Sequence, residues 1–142
     1  MKKTVAIAGA TGFIGKWFID KYKNDFNIIA LSRNKLKYPE KNDIEWRQVD
    51  LYSISSTTQA LENVDVGIYL VHSMQPSTRM NQGSFEDTDI LLADNFSRAA
   101  EHCKLEQIIY VGGILPKDEH TMSKHLRSRY EVEKTLGSGN TP

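Results

Sequence analysis

Thr4-Val-Ala-Ile-Ala-Gly9-Ala-Thr-Gly12-Phe-Ile-Gly15 is the stretch whose reading decides the fold. Val5, Ile7 and their alanine neighbours form a short apolar run, suited to a strand buried on both faces. Gly9, Ala10, Thr11 and Gly12 break that run, and Phe13, Ile14, Trp17, Phe18 and Tyr22 then recur at helical spacing. The order is therefore strand, tight glycine turn, helix. Such a turn leaves backbone N–H groups at a helix N-terminus, where they and the helix dipole hold a phosphate. Gly9 permits the turn, Gly12 lets a pyrophosphate come close to the backbone, and Gly15 lets the helix sit near the strand. The spacing is Gly-x-x-Gly-x-x-Gly, because Ala10 and Thr11 separate the first two glycines. Lys2-Lys3 followed by an apolar run with Ala6-x-Ala8 imitates an export signal. The spaced glycines and the amphipathic continuation through Lys16 and Asp20 argue against one.

The chain has 142 residues, enough for one domain with a core. Eighteen basic residues balance eighteen acidic ones, so no electrostatic case exists for a nucleic-acid partner. No apolar run is long enough to span a bilayer, and no membrane partner is expected. Cys103 is the only cysteine, which excludes an internal disulfide. These features together give the expectation of a cytoplasmic protein. No His, Cys, Asp and Glu cluster has metal-ligand spacing, so no metal is expected, and there is no Gly-x-Ser-x-Gly elbow.

Further along, residues 26–31 and 44–49 read as the second and third strands, the latter alternating in a way that fits a sheet edge. Residues 32–43 are polar, with room for a short helical turn. Residues 53–61 form a short helix, with Ser53 and Ser55 as alternative N-caps. Residues 65–71 are the fourth strand, and 73–83 a polar loop. A long helix over about 84–103 carries a stripe of Leu92, Phe96, Ala99, Ala100 and Cys103. The fifth strand, 107–111, stops at Gly112-Gly113, and a last helix covers about 122–136. Strands alternating with helices imply an α/β, doubly wound parallel sheet. Right-handed crossovers give the order 3-2-1-4-5, with the ligand at the carboxyl ends of strands one and four. A sheet of this kind has a sixth strand, so the chain is expected to be the N-terminal part of a longer protein. The open edge of the fifth strand and the half-covered last helix would otherwise favour a homodimer, paired through the final helices or along that edge.

Site candidates follow from that placement. Gly9, Thr11, Gly12, Phe13, Ile14 and Gly15 make the phosphate loop. Ser32 and Arg33 lie where the adenosine ribose is read; no acid stands there to hold a 2′-hydroxyl, and a guanidinium suits a 2′-phosphate. NADP is thus expected over NAD. Asp50 and Leu51 close the third strand near the adenine, although an aspartate there serves equally to start a turn. Leu70, Val71, His72 and Met74 end the fourth strand on the nicotinamide side, where His72 reads either as a site residue or as an ordinary hydrogen-bonded histidine.

Gly9-Ala-Thr-Gly12-Phe-Ile-Gly15 resembles the cofactor loop of the extended and atypical short-chain dehydrogenase/reductases. Three narrower blocks are Tyr69-Leu-Val-His-Ser-Met74, Ile109-Tyr-Val-Gly-Gly-Ile-Leu-Pro116 and His125-Leu-Arg-Ser-Arg129-x-Glu131-Val-Glu133. They resemble the NmrA-like NAD(P)-binding proteins, a group that includes nucleoside-diphosphate-sugar epimerase-like members. The resemblance covers the whole chain and implies a Rossmann fold and NAD(P) binding. It implies an NADP-dependent oxidoreductase or epimerase-like enzyme acting on a small molecule it does not identify, or a non-catalytic NADP-sensing module.

Conventional members of that superfamily place a serine after strand five, then a tyrosine and, four residues later, a lysine on the next helix, for acid/base work. Here Gly112-Gly113 replaces the serine. Tyr130-x-x-x-Lys134 has the right spacing, but Ser128-Arg129-x-Glu131-x-Glu133 fits the family's Ser-Lys-x-Glu-x-Glu run, which puts His125 and Arg129 in the two positions. The pairs are rotated from each other by about 100° on a helix, so only one can face a cofactor. His125 and Arg129 are the catalytic candidates, and Tyr130 and Lys134 the alternative.

Overall fold

The computed structural model describes residues 1–34, 44–72 and 85–142. In chain order the elements are β1 (Thr4–Ala8), α1 (Phe13–Tyr22), β2 (Asn27–Ser32), β3 (Glu45–Gln48), α2 (Ile54–Ala60), β4 (Val66–Tyr69), α3 (Phe85–His102), β5 (Gln107–Tyr110) and α4 (Lys124–Leu136), with a 3-10 turn at Glu119–Thr121. The strands form one parallel sheet in the order β3-β2-β1-β4-β5, the Rossmann-like arrangement expected. Ala8 aligns with Leu31 and with Tyr69, and Tyr69 with Tyr110. The strand ends therefore lie on one line, and the segments that follow them emerge along a single edge of the sheet.

Alternate strand residues point to opposite faces, and both faces are apolar. Ala6, Ala8, Ile29, Leu31 and Tyr69 pack with Phe96, Ala99 and Ala100 of α3 and with Val132 and Leu136 of α4. Val5, Ile7, Ile28, Ala30 and Ile68 form the other layer, with Phe18 and Ile19 of α1 against it. The helical period expected for α1 is present, but the packed face excludes part of the apolar set. Phe13 and Trp17 are exposed, at 89% and 51%. Gly15 sets that orientation: a Cβ there would stand 2.5 Å from Gly9 O and 2.8 Å from Ala10 Cα, so this side of the helix must face the turn.

Polar groups fix the element ends. Ser53, rather than Ser55, caps α2, its Oγ accepting the Ser56 N–H at 3.2 Å. Arg47 of β3 closes the other end of α2, donating to Ala60 O and Glu62 O at 2.9 and 2.7 Å. Ser123 caps α4 by accepting the Leu126 N–H, so that helix begins two residues later than its apolar pattern indicates. In α3 the expected stripe is buried at Leu92, Phe96, Ala99 and Ala100, while Cys103 is half-buried with its Sγ donating to Thr58 O. β3 and β5 are the sheet edges. On β5, the Ile108 N–H donates to Pro142 O at 2.6 Å. The short turn expected within 32–43, the loop 73–83 with Met74, and residue 84 lie largely or wholly outside the described residues. No helix among the described residues is long and apolar enough to cross a membrane.

Because the α1–β1 approach leaves no room for a methyl group, Gly15→Ala should destabilise the domain by about 1–3 kcal/mol. Urea denaturation monitored by circular dichroism measures this, and an unchanged midpoint would show that the turn relaxes freely.

Candidate functional site

The turn after β1 is closed by a hydrogen bond from the Gly12 N–H to Gly9 O, at 3.1 Å. Gly9 has φ +90°, a conformation that a side chain would strain. Leu70, following β4, backs it: a Cβ on Gly9 would lie 3.0 Å from the Leu70 Cβ. Gly12 is the N-cap of α1 and brings no capping side chain. The first intrahelical bond of that ladder runs from the Lys16 N–H to Gly12 O, so the amides of Phe13, Ile14 and Gly15 precede it. Thr11, Gly12, Phe13 and Ile14 surround them on the surface. A Cβ on Gly12 would touch Gly9 O at 3.4 Å and nothing else within 4 Å. Open space above uncapped helical amides at the β1/β4 switch point fits the pyrophosphate of a dinucleotide.

The ends of β2 and β3 carry the next candidates. Ser32 is half-buried; its Oγ accepts the Asn34 N–H at 3.2 Å and its carbonyl accepts the Val49 N–H at 2.9 Å. That turn presents Arg33 to solvent. Asp50 does start the next turn, its Oδ1 accepting the Tyr52 N–H at 3.1 Å. Leu51 is tethered to α3 by Asn95, whose Nδ2 donates to Leu51 O at 2.8 Å.

The ends of β4 and β5 form the other half. Val71 packs on the core, while His72 lies edge-on to Tyr110 with ring centroids 6.2 Å apart. Burial and the Arg129 guanidinium hold the His72 imidazole below the ordinary histidine value, against an opposing pull from Asp89. Its neutral form therefore prevails at pH 7. Burial pushes the Tyr110 phenol up to about 12, aided by Asp89 and Glu133 and opposed by Arg129. The Tyr110 hydroxyl donates to Arg129 O at 3.3 Å. Ser128 Oγ donates to Asp89 Oδ2 at 3.0 Å in the interior. Arg129 is half-buried, and among the described residues no carboxylate lies within ion-pair distance of its guanidinium.

The buried stripe of α4 is Ser128, Val132 and Leu136. Arg129 borders that stripe and belongs with His72 and Tyr110; His125 is exposed one turn earlier. At 100° per residue, Tyr130 and Lys134 lie roughly 160–200° from the stripe's centre. They engage each other, with Lys134 Nζ 4.6 Å from the Tyr130 ring centroid and 3.1 Å from Glu131 Oε1. Among the described residues, no three His, Cys, Asp or Glu side chains group to hold a metal. Sequence reasoning passed over Asp89, Asn95 and Tyr110. Tyr110 and Ser128 sit inside motif blocks already singled out. Asp89 and Asn95 carry no local signal, because their partners are 39 and 44 residues away.

A twisted parallel sheet with a glycine turn and uncapped helix at its switch point defines a dinucleotide-binding domain. The chain belongs to the NAD(P)H-binding family, whose profile matches residues 9–136. It is 31% identical over 149 aligned residues to "Auxiliary protein GraX" of Staphylococcus aureus, covering all of this chain and 43% of that protein. Among solved structures it is similar to the Citrobacter sp. triphenylmethane reductase, also solved in complex with NADP(H), at TM-score 0.79 and 22% identity, covering 98% of this chain and 46% of the other. A UDP-N-acetylglucosamine 4-epimerase from Bacillus cereus gives TM-score 0.72 and 24% identity, covering 96% and 50%. The Bordetella bronchiseptica enzyme WbmG in complex with NAD gives 0.79 and 12%, covering 100% and 51%. The chain thus spans less than half the curated relative it matches, and about half of these structures.

Holding His72 neutral has a stability consequence. A histidine whose folded-state pKa is depressed binds fewer protons folded than unfolded, so its contribution is full above about pH 6.5 and is lost as pH falls toward the folded-state value. The urea midpoint of the wild type should therefore drop more steeply between about pH 7 and 5 than that of His72→Gln. Parallel pH profiles would show that the imidazole is not held neutral.

Proposed function

We propose that this chain is the cofactor-binding N-terminal part of a longer NADP-dependent oxidoreductase or epimerase-like enzyme. The observation that carries it is one shared edge: the uncapped α1 amides behind Gly9 and Gly12 face the same side of the sheet as the half-buried Arg129. When bound, a nicotinamide supplies hydride transfer. The chain's own residues bind and orient. Gly9, Thr11, Gly12, Phe13, Ile14 and Gly15 wrap the pyrophosphate. Ser32 and Arg33 read the ribose and its 2′-phosphate, and Asp50 and Leu51 border the adenine. Leu70, Val71 and His72 line the nicotinamide side, where neutral His72 offers one N–H and one lone pair. Arg129 holds the second ribose or a phosphate, with His125 on the same helix as the exposed proton-exchanging candidate.

A second reading is a non-catalytic NADP-sensing module of a longer protein in the cytoplasm. Gly112-Gly113 in place of the serine favours it, as do Tyr130 and Lys134 on the far face of α4 and the similarity to a protein called auxiliary. Incubating the full-length protein with NADPH and a panel of carbonyls and quinones separates the two. Steady nicotinamide oxidation supports the enzyme; binding without turnover supports the sensor.

For the edge of β5, the proposal is a sixth strand of the longer protein, starting from the Ile108–Pro142 hydrogen bond. Homodimerisation along that edge is its rival, and light scattering of the full-length protein across a dilution series distinguishes them.

Isothermal titration with NADPH tests the phosphate loop: Gly12→Val should abolish binding while circular dichroism stays native. Arg33→Ala removes a charge-assisted contact worth about 1.5–3 kcal/mol, and should weaken NADPH roughly tenfold or more while sparing NADH. Equal losses for both cofactors would remove Arg33 from the 2′-phosphate.

A further inference from the structure

Arg129 is one of the few cationic side chains drawn partly into the domain, and its backbone is held from two sides. The Tyr110 hydroxyl donates to Arg129 O from β5. Its neighbour Ser128 donates to Asp89 on α3, a contact between two side chains only 4% and 7% exposed. A serine at a buried helix position and an aspartate facing it contribute little to an apolar interface. Burying a carboxylate is costly unless its acceptors are used, and here one is used to fix α4 to α3. The contact lies one residue from Arg129, on the stripe that α4 buries with Val132 and Leu136. Rotation matters because the next residue in the other direction, Tyr130, would be turned by about 100° relative to Arg129.

We propose that Asp89 and Ser128 are positioning residues, a buried clamp between α3 and α4 that aims the Arg129 guanidinium at the end of β4 beside His72. The cofactor contact of Arg129 rests on the function proposed above; the clamp itself does not. Tyr110 is the second point of attachment, and Gly113 lets the chain after β5 pass close to α4, since a Cβ there would come 2.5 Å from Leu126 Cδ1. Asp89 is also close enough to act on the Tyr69, His72 and Tyr110 side chains, so its own removal changes local charge directly. Ser128 carries no charge, which makes it the cleaner place to cut.

The test is a double-mutant cycle read by NMR titration of the His72 imidazole in the full-length protein. Arg129→Met should raise the His72 pKa, since a neighbouring positive charge is removed. Ser128→Ala should change it in the wild-type background and leave it unchanged in the Arg129→Met background. An equal change in both backgrounds, or none in the wild type, overturns the clamp. Asp89→Asn, whose amide oxygen still accepts the Ser128 hydroxyl, should keep the Ser128→Ala effect, whereas Asp89→Ala should abolish it; a persistent effect in Asp89→Ala also overturns the clamp. NADPH titration of the same variants reports on the other reading. Ser128→Ala should weaken binding roughly threefold to tenfold only when Arg129 is present. Should the imidazole cycle show coupling while Arg129→Met binds NADPH like the wild type, the clamp stands and the cofactor contact of Arg129 falls.

Discussion

The Gly9 carbonyl is the point on which the rest of the site depends. It receives the Gly12 N–H and also faces the side of Gly15 on which any other residue would carry a Cβ. One oxygen thus closes the turn and sets how near α1 comes to β1. The close approach puts Phe18 and Ile19 on the sheet and turns Phe13 and Trp17 outward. It also leaves three amides at the start of α1 with no place in the helical ladder. Packing and ligand capacity have the same geometric cause.

The parallel register carries that constraint across the sheet. Because Ala8, Leu31, Tyr69 and Tyr110 are aligned, loops from four strands open on one side. Polar contacts hold the described segments after β2, β3 and β5: Ser32 with Asn34, Asp50 with Tyr52, Leu51 with Asn95, and Tyr110 with Arg129. These bonds occupy backbone groups that would be costly to leave unpaired when partly buried. Two of them also tie the ends of β3 and β5 to α3 and α4.

Charge is distributed unevenly along the rim. The end of β2 presents Arg33 to water, where salt screens it. The opposite side places Arg129, His72 and Asp89 around the exits of β4 and β5, partly removed from solvent. There the guanidinium and burial act together to keep an imidazole neutral, while the buried carboxylate partly offsets them. That end of the rim combines a guanidinium and a buried carboxylate with a neutral imidazole.

Local pattern was enough for the five strands, their order and the glycine turn, since apolar runs on both faces and alternation with helices leave few topologies. Helix ends were legible to within one or two residues, because caps such as Ser53 and Ser123 are encoded next to the helices they start. The periodicity of α1 was equally plain in the sequence, but the face it buries was not: Gly15, with no apolar signal of its own, outweighs Phe13 and Trp17 by steric contact alone. Asp89 meeting Ser128, Asn95 meeting Leu51 and Arg129 meeting His72 depend on elements brought together from distant parts of the chain. Amino-acid order determines which residues share a strand or a helix face, whereas the packing of α3 and α4 on the sheet decides which faces meet. A contact between faces is a property of that packing, so it leaves no periodic trace in either segment.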